Sequence, residues 1–132
     1  ELQRADTVTQ HRQVSRAIQL ALARLGDEQS RQVFFKELGD PRVKVVLKAL
    51  KDFEYIRDPR TVDRLMPLLG DTRDALNVGP SHEPYVIRVC DITVNVLDVV
   101  LQHPFPFQAG ERRRYLDDEL RVAREVLQAR RR

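Results

Sequence analysis

The stretches FFKELGD (residues 34–40) and LMPLLGD (residues 65–71) end in the same Leu-Gly-Asp, 31 positions apart. They close two longer segments, GDEQSRQVFFKELGD (26–40) and RDPRTVDRLMPLLGD (57–71), which match at six pairs of positions. The pairs are Asp27/Asp58, Phe34/Leu65, Phe35/Met66, Leu38/Leu69, Gly39/Gly70 and Asp40/Asp71. In the second segment the apolar residues fall at i, i+3, i+4 and i+7, which places them along one side of a helix. These residues are Val62, Leu65, Met66 and Leu69. The recurrence indicates an internal repeat.

The shared ending predicts a corner between two helices. The leucine closes the apolar stripe, and Gly39 and Gly70 are expected to adopt the left-handed conformation that often ends a helix. The aspartates that follow, Asp40 and Asp71, are suited to cap the next helix, in the first copy with Pro41 at its first position.

A second helix type recurs between these corners, in RAIQLALARL (16–25), KVVLKALKDF (44–53) and RVCDITVNVL (88–97). Each copy begins with a basic residue and carries apolar residues two, six and nine positions later. The three sets are Ile18/Leu22/Leu25, Val46/Leu50/Phe53 and Cys90/Val94/Leu97. Three copies of one helix type therefore alternate with two copies of another.

The third copy is rich in β-branched residues, which favour strands. Its polar residues nevertheless recur every three or four positions, whereas an exposed strand face would repeat every second residue. They are Arg88, Asp91, Asn95, Asp98 and Gln102. The spacing predicts a nearly buried helix.

These patterns predict one all-α domain over residues 1–132, built from about six helices. The predicted helices are 5–25, 28–38, 41–56, 59–70, 86–102 and 111–130, and a long loop covers 71–85.

The alternation of short helix, tight turn and longer helix resembles HEAT repeats, including the HEAT-like type found in phycobilisome lyases. The segments that carry the resemblance are VSRAIQLALARLGD (14–27), GDPRVKVVLKAL (39–50), RDPRTVDRLMPLLGD (57–71) and VIRVCDITVNVL (86–97). The resemblance implies a short right-handed α-α superhelix, and Pro67 lies where the first helices of HEAT repeats often carry a kinking proline. Such repeats occur in scaffolds, transport receptors, phosphatase subunits, chromophore lyases and some DNA glycosylases, so function has to be argued from the site.

The basic charge is concentrated at one end of the chain. Residues 1–109 hold 15 Lys/Arg and 15 Asp/Glu, whereas residues 110–132 hold eight arginines and five acids. Nucleic-acid binding usually requires a basic face on the folded body, so this distribution supports it only weakly. No apolar run is long enough to span a bilayer. One cysteine suits either the cytoplasm or, after removal of an export signal, the periplasm, so the compartment stays open.

Equivalent polar positions on the three longer helices predict a groove that binds a partner. If the helices stack in register, these positions form neighbouring rows, and the resemblance to HEAT repeats implies that the second helices line the concave face. The predicted groove residues are Arg16, Gln19, Lys44, Lys51, Arg88, Asp91 and Asn95. The alternative is that the three leading bases only tie neighbouring repeats together, through carboxylates such as Asp40 and Asp71.

The loop TRDALNVGPSHEPY (72–85) is the second candidate, because long connections are often functional. Its polar residues are predicted to form a rim beside the groove: Asn77, Ser81, His82, Glu83 and Tyr85. The alternative is a tolerated surface insertion.

Catalytic chemistry finds little support in the sequence. Ser81, His82 and Glu83 are sequence neighbours, which does not provide the converging geometry of a catalytic triad. Cys90 aligns with Ile18 and Val46 and is predicted to be a small core residue. The three histidines lack metal-ligand spacing, so we expect no metal, no cofactor and no enzymatic activity.

The sequence favours a non-enzymatic interaction module that binds a protein or peptide along the groove. Two alternatives remain: a nucleic-acid-binding protein that uses the basic row and the terminal arginines, and a chromophore-lyase-like protein. The small number of repeats also leaves open that the chain belongs to a longer protein or associates with itself.

Overall fold

Six α-helices and one short hairpin make up the part of the chain that the computed structural model describes, residues 2–110 and 112–131, with only the backbone described for residues 2–9 and 11. The helices are α1 (Leu2–Arg24), α2 (Glu28–Leu38), α3 (Val43–Ile56), α4 (Val62–Leu65), α5 (Val89–Val100) and α6 (Asp117–Arg130), and the strands are β1 (Asp74–Val78) and β2 (Tyr85–Arg88). The predicted all-α class is confirmed.

Several helix boundaries differ from the prediction, while α2 spans the predicted residues 28–38. Helix α1 runs over 2–24 instead of 5–25, and α3 begins at Val43 instead of residue 41. Helix α6 begins at Asp117 instead of residue 111, which itself lies outside the described residues. The segment before α6 is extended because its backbone is hydrogen-bonded to α5, as described below.

The predicted helix 59–70 is divided into three short pieces. Helix α4 spans only Val62–Leu65, and 3₁₀ turns cover Pro59–Thr61 and Met66–Gly70. Pro67 has no backbone N–H and clashes with the preceding turn, so it interrupts the α-helical hydrogen bonds. The tighter 3₁₀ geometry that follows it is a common way to end a helix.

The predicted loop 71–85 and the predicted start of a helix at residue 86 are partly wrong, because β1 and β2 pair there as an antiparallel hairpin. Leu76 lies opposite Ile87 and Val78 lies opposite Tyr85, with an irregularity between Asp74 and Leu76. β-branched and aromatic residues in 85–88 therefore form a strand before the helical pattern of α5 begins.

The corner prediction is wrong in its mechanism. Gly39 has φ −93° and is not left-handed, and Gly70 ends the second 3₁₀ turn and is likewise not left-handed. A carboxylate organises each corner instead. Asp40 does not cap α3 directly: it accepts the backbone N–H of Arg42 at 2.8 Å, and α3 starts one residue later.

The same Asp-x-Arg arrangement occurs at three corners of the described chain. In each, the aspartate accepts both the backbone N–H and the guanidinium of the arginine two positions later. The pairs are Asp40/Arg42, Asp58/Arg60 and Asp71/Arg73. The guanidinium hydrogen bonds lower the pKa of all three carboxyl groups.

The core lies between α2, α3, α4, α5 and α6, together with the 3₁₀ turn Met66–Gly70. The predicted apolar stripes of α3 and α5 are fully buried, including Cys90, which is confirmed as a core residue. The matching stripe of α1 differs, since Ile18, Leu22 and Leu25 are exposed while Ala23 and Leu20 face the core. Helix α1 packs on α2 and α3 with its other side.

Candidate functional site

A groove of about 640 Å³ opens between α3, the hairpin and α5. Its volume falls within the range of about 300–1,000 Å³ typical of ligand sites. Helix α3 contributes Leu47, Lys51 and Glu54, which are spaced i, i+4 and i+7 and therefore share one side of the helix.

The opposite wall comes from α5 and the hairpin. Helix α5 contributes Ile92, Asn95 and Val96, again from one side of the helix. Leu76 and Ile87 are cross-strand partners and both line the groove. Leu76 is 50% exposed, so part of its side chain is accessible from the groove. The floor is mostly apolar, and charged or amide groups occur at its edges.

Two of the predicted groove residues, Arg88 and Asp91, lie in the core instead. Arg88 is 8% exposed and Asp91 is 0% exposed, so a partner at the surface does not reach them. The carboxylate of Asp91 accepts the backbone N–H of Arg88 at 2.9 Å and its Nε–H at 3.1 Å. The hydrogen bond between the two side chains raises the pKa of Arg88. Arg88 thus pairs with a carboxylate of α5 itself and not with Asp40 or Asp71, which bind Arg42 and Arg73.

Tyr115 joins the same buried network and fixes the segment before α6. Its backbone N–H donates to Oδ1 of Asp91 at 2.9 Å, and its carbonyl accepts from Nη2 of Arg88 at 2.8 Å. Its hydroxyl donates to Oδ1 of Asn95 at 2.6 Å, and burial raises the pKa of this hydroxyl. Asn95 therefore has a fixed position in the groove wall.

Arg16 also ties helices together. Its guanidinium donates two hydrogen bonds of 2.9 Å to Glu37 on α2 and one of 2.5 Å to Asp52 on α3. The hydrogen bond to Glu37 makes the largest contribution to the raised pKa of Arg16. Gln19 is half-buried and Lys44 is exposed, and neither lines the groove.

Of the predicted rim residues, Asn77 lines the groove and the others lie outside its lining. Ser81, His82 and Glu83 are exposed at the tip of the hairpin. The hydroxyl of Tyr85 donates to the backbone carbonyl of Arg112 at 2.8 Å, which holds that part of the connector beside the groove. The structure thus brings together three of the predicted residues: Lys51, Asn77 and Asn95.

Sequence reasoning missed Glu54, Leu76 and Arg112. The turn residues Gly79 and Pro80, followed by the β-branched and aromatic run YVI (85–87), were the available signal for the hairpin that carries Leu76. Arg112 gives no such signal, because it reaches the groove from a connector with φ 60° that long-range contacts hold in place.

The described residues contain no group of three or more His, Cys, Asp or Glu placed to hold a metal ion. Cys90 is buried, and its desolvation raises the pKa of the thiol. Within the part of the chain that the structure describes, no helix is long and apolar enough to cross a membrane.

Comparisons of the chain with protein-family models, with curated proteins and with solved structures find no match.

Proposed function

We propose that this chain is a non-enzymatic interaction module that binds a segment of a partner protein in the groove between α3, the hairpin and α5. The observation that carries the proposal is the open apolar floor, in which Leu76 remains half exposed beside the buried Ile87. Apolar side chains left accessible in a concave site mark binding sites more often than scattered exposed leucines do.

The polar residues at the edges of the groove indicate which kind of partner segment would fit. Lys51 and Arg112 are basic, Glu54 is acidic, and Asn77 and Asn95 offer amide groups. A segment with at least one large apolar anchor, flanked by polar residues with a carboxylate among them, matches this lining. The apolar anchor would supply most of the binding energy, and the polar edges would fix its register.

The repeated helices and the three Asp-x-Arg corners support a short HEAT-like superhelix of the kind that the sequence resembles. In such an architecture, stacked repeats provide a continuous core and leave one face for binding. The right-handed arrangement and the single domain over residues 1–132 belong to the same proposal.

The pairing of arginines argues against nucleic acid as the partner. In the predicted basic row, Arg16 and Arg88 bind carboxylates. In the terminal segment Arg113 and Arg131 do the same, so part of the positive field that phosphates require is neutralised. Retention on heparin that falls steeply with added salt would instead favour the nucleic-acid alternative.

Selection from a displayed peptide library tests the groove. The library is panned against the wild-type chain, and the enriched peptides are then tested against Leu76→Asp. Peptides that bind the wild type and lose binding to Leu76→Asp support the proposal. Enrichment of peptides that bind both proteins equally, or no enrichment, contradicts it.

A further inference from the structure

One edge of the hairpin runs along the candidate groove. Strand β1 pairs with β2 on one side, and within the described residues no further strand pairs with its other side. Leu76, Asn77 and Val78 all line the groove, although consecutive side chains of a strand point to opposite faces. The groove therefore extends along the outer edge of β1 as well as over one of its faces.

The hydrogen bonds of β2 show which of its backbone groups point away from β1. Along each strand of an antiparallel pair, residues alternate between bonding the partner strand and pointing outward. The N–H of Val89 donates to the carbonyl of Arg73 at 3.0 Å, so the preceding residue, Arg88, points outward, and its N–H binds a carboxylate of α5. Two residues earlier, the carbonyl of Val86 also points outward, where it accepts from Nη1 of Arg114 at 3.1 Å.

Asn77 of β1 consequently turns its backbone N–H and C=O away from the hairpin. It lies opposite Val86, and residues opposite each other in such a pair bond inward or outward together. Arg114 covers the outer edge of β2, whereas among the described residues no hydrogen bond from outside the hairpin reaches the backbone of Asn77. Asn77 is exposed and lines the groove, so the groove offers one main-chain donor and one main-chain acceptor.

These two groups favour an extended partner segment. A segment that covers Asn77 displaces water from its N–H and C=O, which costs free energy unless the segment supplies hydrogen bonds in return. The middle of a helix has no backbone groups to supply, because its own turns use them. An extended chain presents an N–H and a C=O on the same side at every second residue, which matches the pair that Asn77 presents.

We propose that the partner segment binds in the groove as a β-strand, paired with the outer edge of β1 through the backbone of Asn77. This mode of binding rests on the proposed function, since it concerns the same groove. The residue paired with Asn77 shares its face of the sheet, and the two neighbours of that residue place their side chains on the face of Leu76. The segment is therefore expected to carry apolar residues on both sides of the paired residue, an alternating pattern that differs from the i, i+3, i+4 spacing of a helix.

Single N-methylation of bound peptides tests the pairing with the wild-type chain. The peptides used are those that panning selects and that lose binding to Leu76→Asp. Methylation of the residue paired with Asn77 removes the N–H that bonds its carbonyl and should raise the Kd at least about tenfold. Methylation of an adjacent apolar residue is the matched control, because its N–H points away from β1, and it should change the Kd by less than about threefold.

Amide hydrogen exchange, followed by NMR, locates the pairing on the chain itself. Without peptide, the amide of Asn77 should exchange faster than that of Val78, which is paired with β2. Saturating peptide should slow the exchange of Asn77 at least about tenfold and leave that of Ser81, exposed at the tip of the hairpin, unchanged.

The outcomes separate this mode of binding from the groove itself. Peptides that depend on Leu76 but tolerate methylation at every position, or that leave the exchange of Asn77 unchanged, would overturn the β-strand and leave the groove as the binding site. Failure to obtain any peptide that depends on Leu76 would overturn both proposals.

Discussion

The backbone N–H of Tyr115 donates a hydrogen bond of 2.9 Å to Oδ1 of Asp91, and this bond joins the segment before α6 to the first turn of α5. Asp91 is fully buried and accepts from Arg88 as well. The same segment brings Arg112 to the groove, where the hydroxyl of Tyr85 binds its carbonyl. One buried carboxylate thus helps to position both the core and an edge of the candidate site.

Replacing Asp91 by alanine should lower the free energy of unfolding by about 3–5 kcal/mol, because it leaves the guanidinium of Arg88 buried without its partner. Urea denaturation measures the change. Asp74→Ala is the matched control, since Asp74 is exposed, and it should change stability by less than about 0.5 kcal/mol. Similar midpoints for the two variants would show that the network contributes little.

The Asp-x-Arg corners predict a loss of stability in acid. The Arg42 side chain lowers the pKa of Asp40 from 3.8 to about 2, and Arg60 and Arg73 lower the pKa of Asp58 and Asp71 in the same way. Between these lowered pKa values and the ordinary value of 3.8, the folded chain therefore binds fewer protons than the unfolded chain. The stabilisation that the three carboxylates provide is complete only at pH values above their pKa in the unfolded chain.

Stability should fall as the pH decreases from about 4 toward 2, because the carboxyl groups of the unfolded chain take up protons in this window while the lowered pKa values keep those of the folded chain ionised. Urea midpoints measured at several pH values test this, and Asp40→Asn should show a smaller decrease than the wild type over the same range. A midpoint that stays constant down to pH 2 would contradict the assignment of these pairs.

Gly79 should not tolerate alanine. Its φ is +94°, and an added Cβ would lie 2.9 Å from the carbonyl oxygen of Glu83 and from the ring of Tyr85. Strain of this kind costs about 1–3 kcal/mol, which urea denaturation measures. Gly110→Ala has open space around it and should change stability by less than about 0.5 kcal/mol. Equal effects of the two substitutions would contradict the hairpin geometry.

Cys90 should react slowly with iodoacetamide in the native chain. It is fully buried, and burial raises the pKa of its thiol, so little of the reactive thiolate reaches solvent. The chain unfolded in urea is the control and should be alkylated much faster, as mass spectrometry would show. Rapid reaction of the native chain would revive the chromophore-lyase alternative, which needs a reactive thiol.

The sequence predicted the helical class and the exact span of α2, because apolar residues with a period near 3.6 reflect local geometry. The sequence also predicted Lys51 and Asn95 at the candidate site, because the helical period places each of them on the same side of its helix as the other predicted groove positions. It did not predict the hairpin or the place of Arg112, because these depend on contacts between residues far apart in the chain, such as Tyr85 with Arg112. The buried state of Arg88 and Asp91 likewise depends on Tyr115, which is 27 and 24 positions away.

The affinity of a library-selected peptide for three proteins tests the binding groove most directly. Isothermal titration calorimetry should give a Kd for Leu76→Asp at least about tenfold larger than for the wild type. The reason is that the introduced carboxylate lies in the apolar floor of the groove. Leu116→Asp is the matched control: Leu116 is 69% exposed outside the groove, and aspartate suits its position before the first turn of α6. We predict an unchanged Kd for Leu116→Asp, whereas equal affinity of the peptide for Leu76→Asp and the wild type would contradict the groove as the binding site.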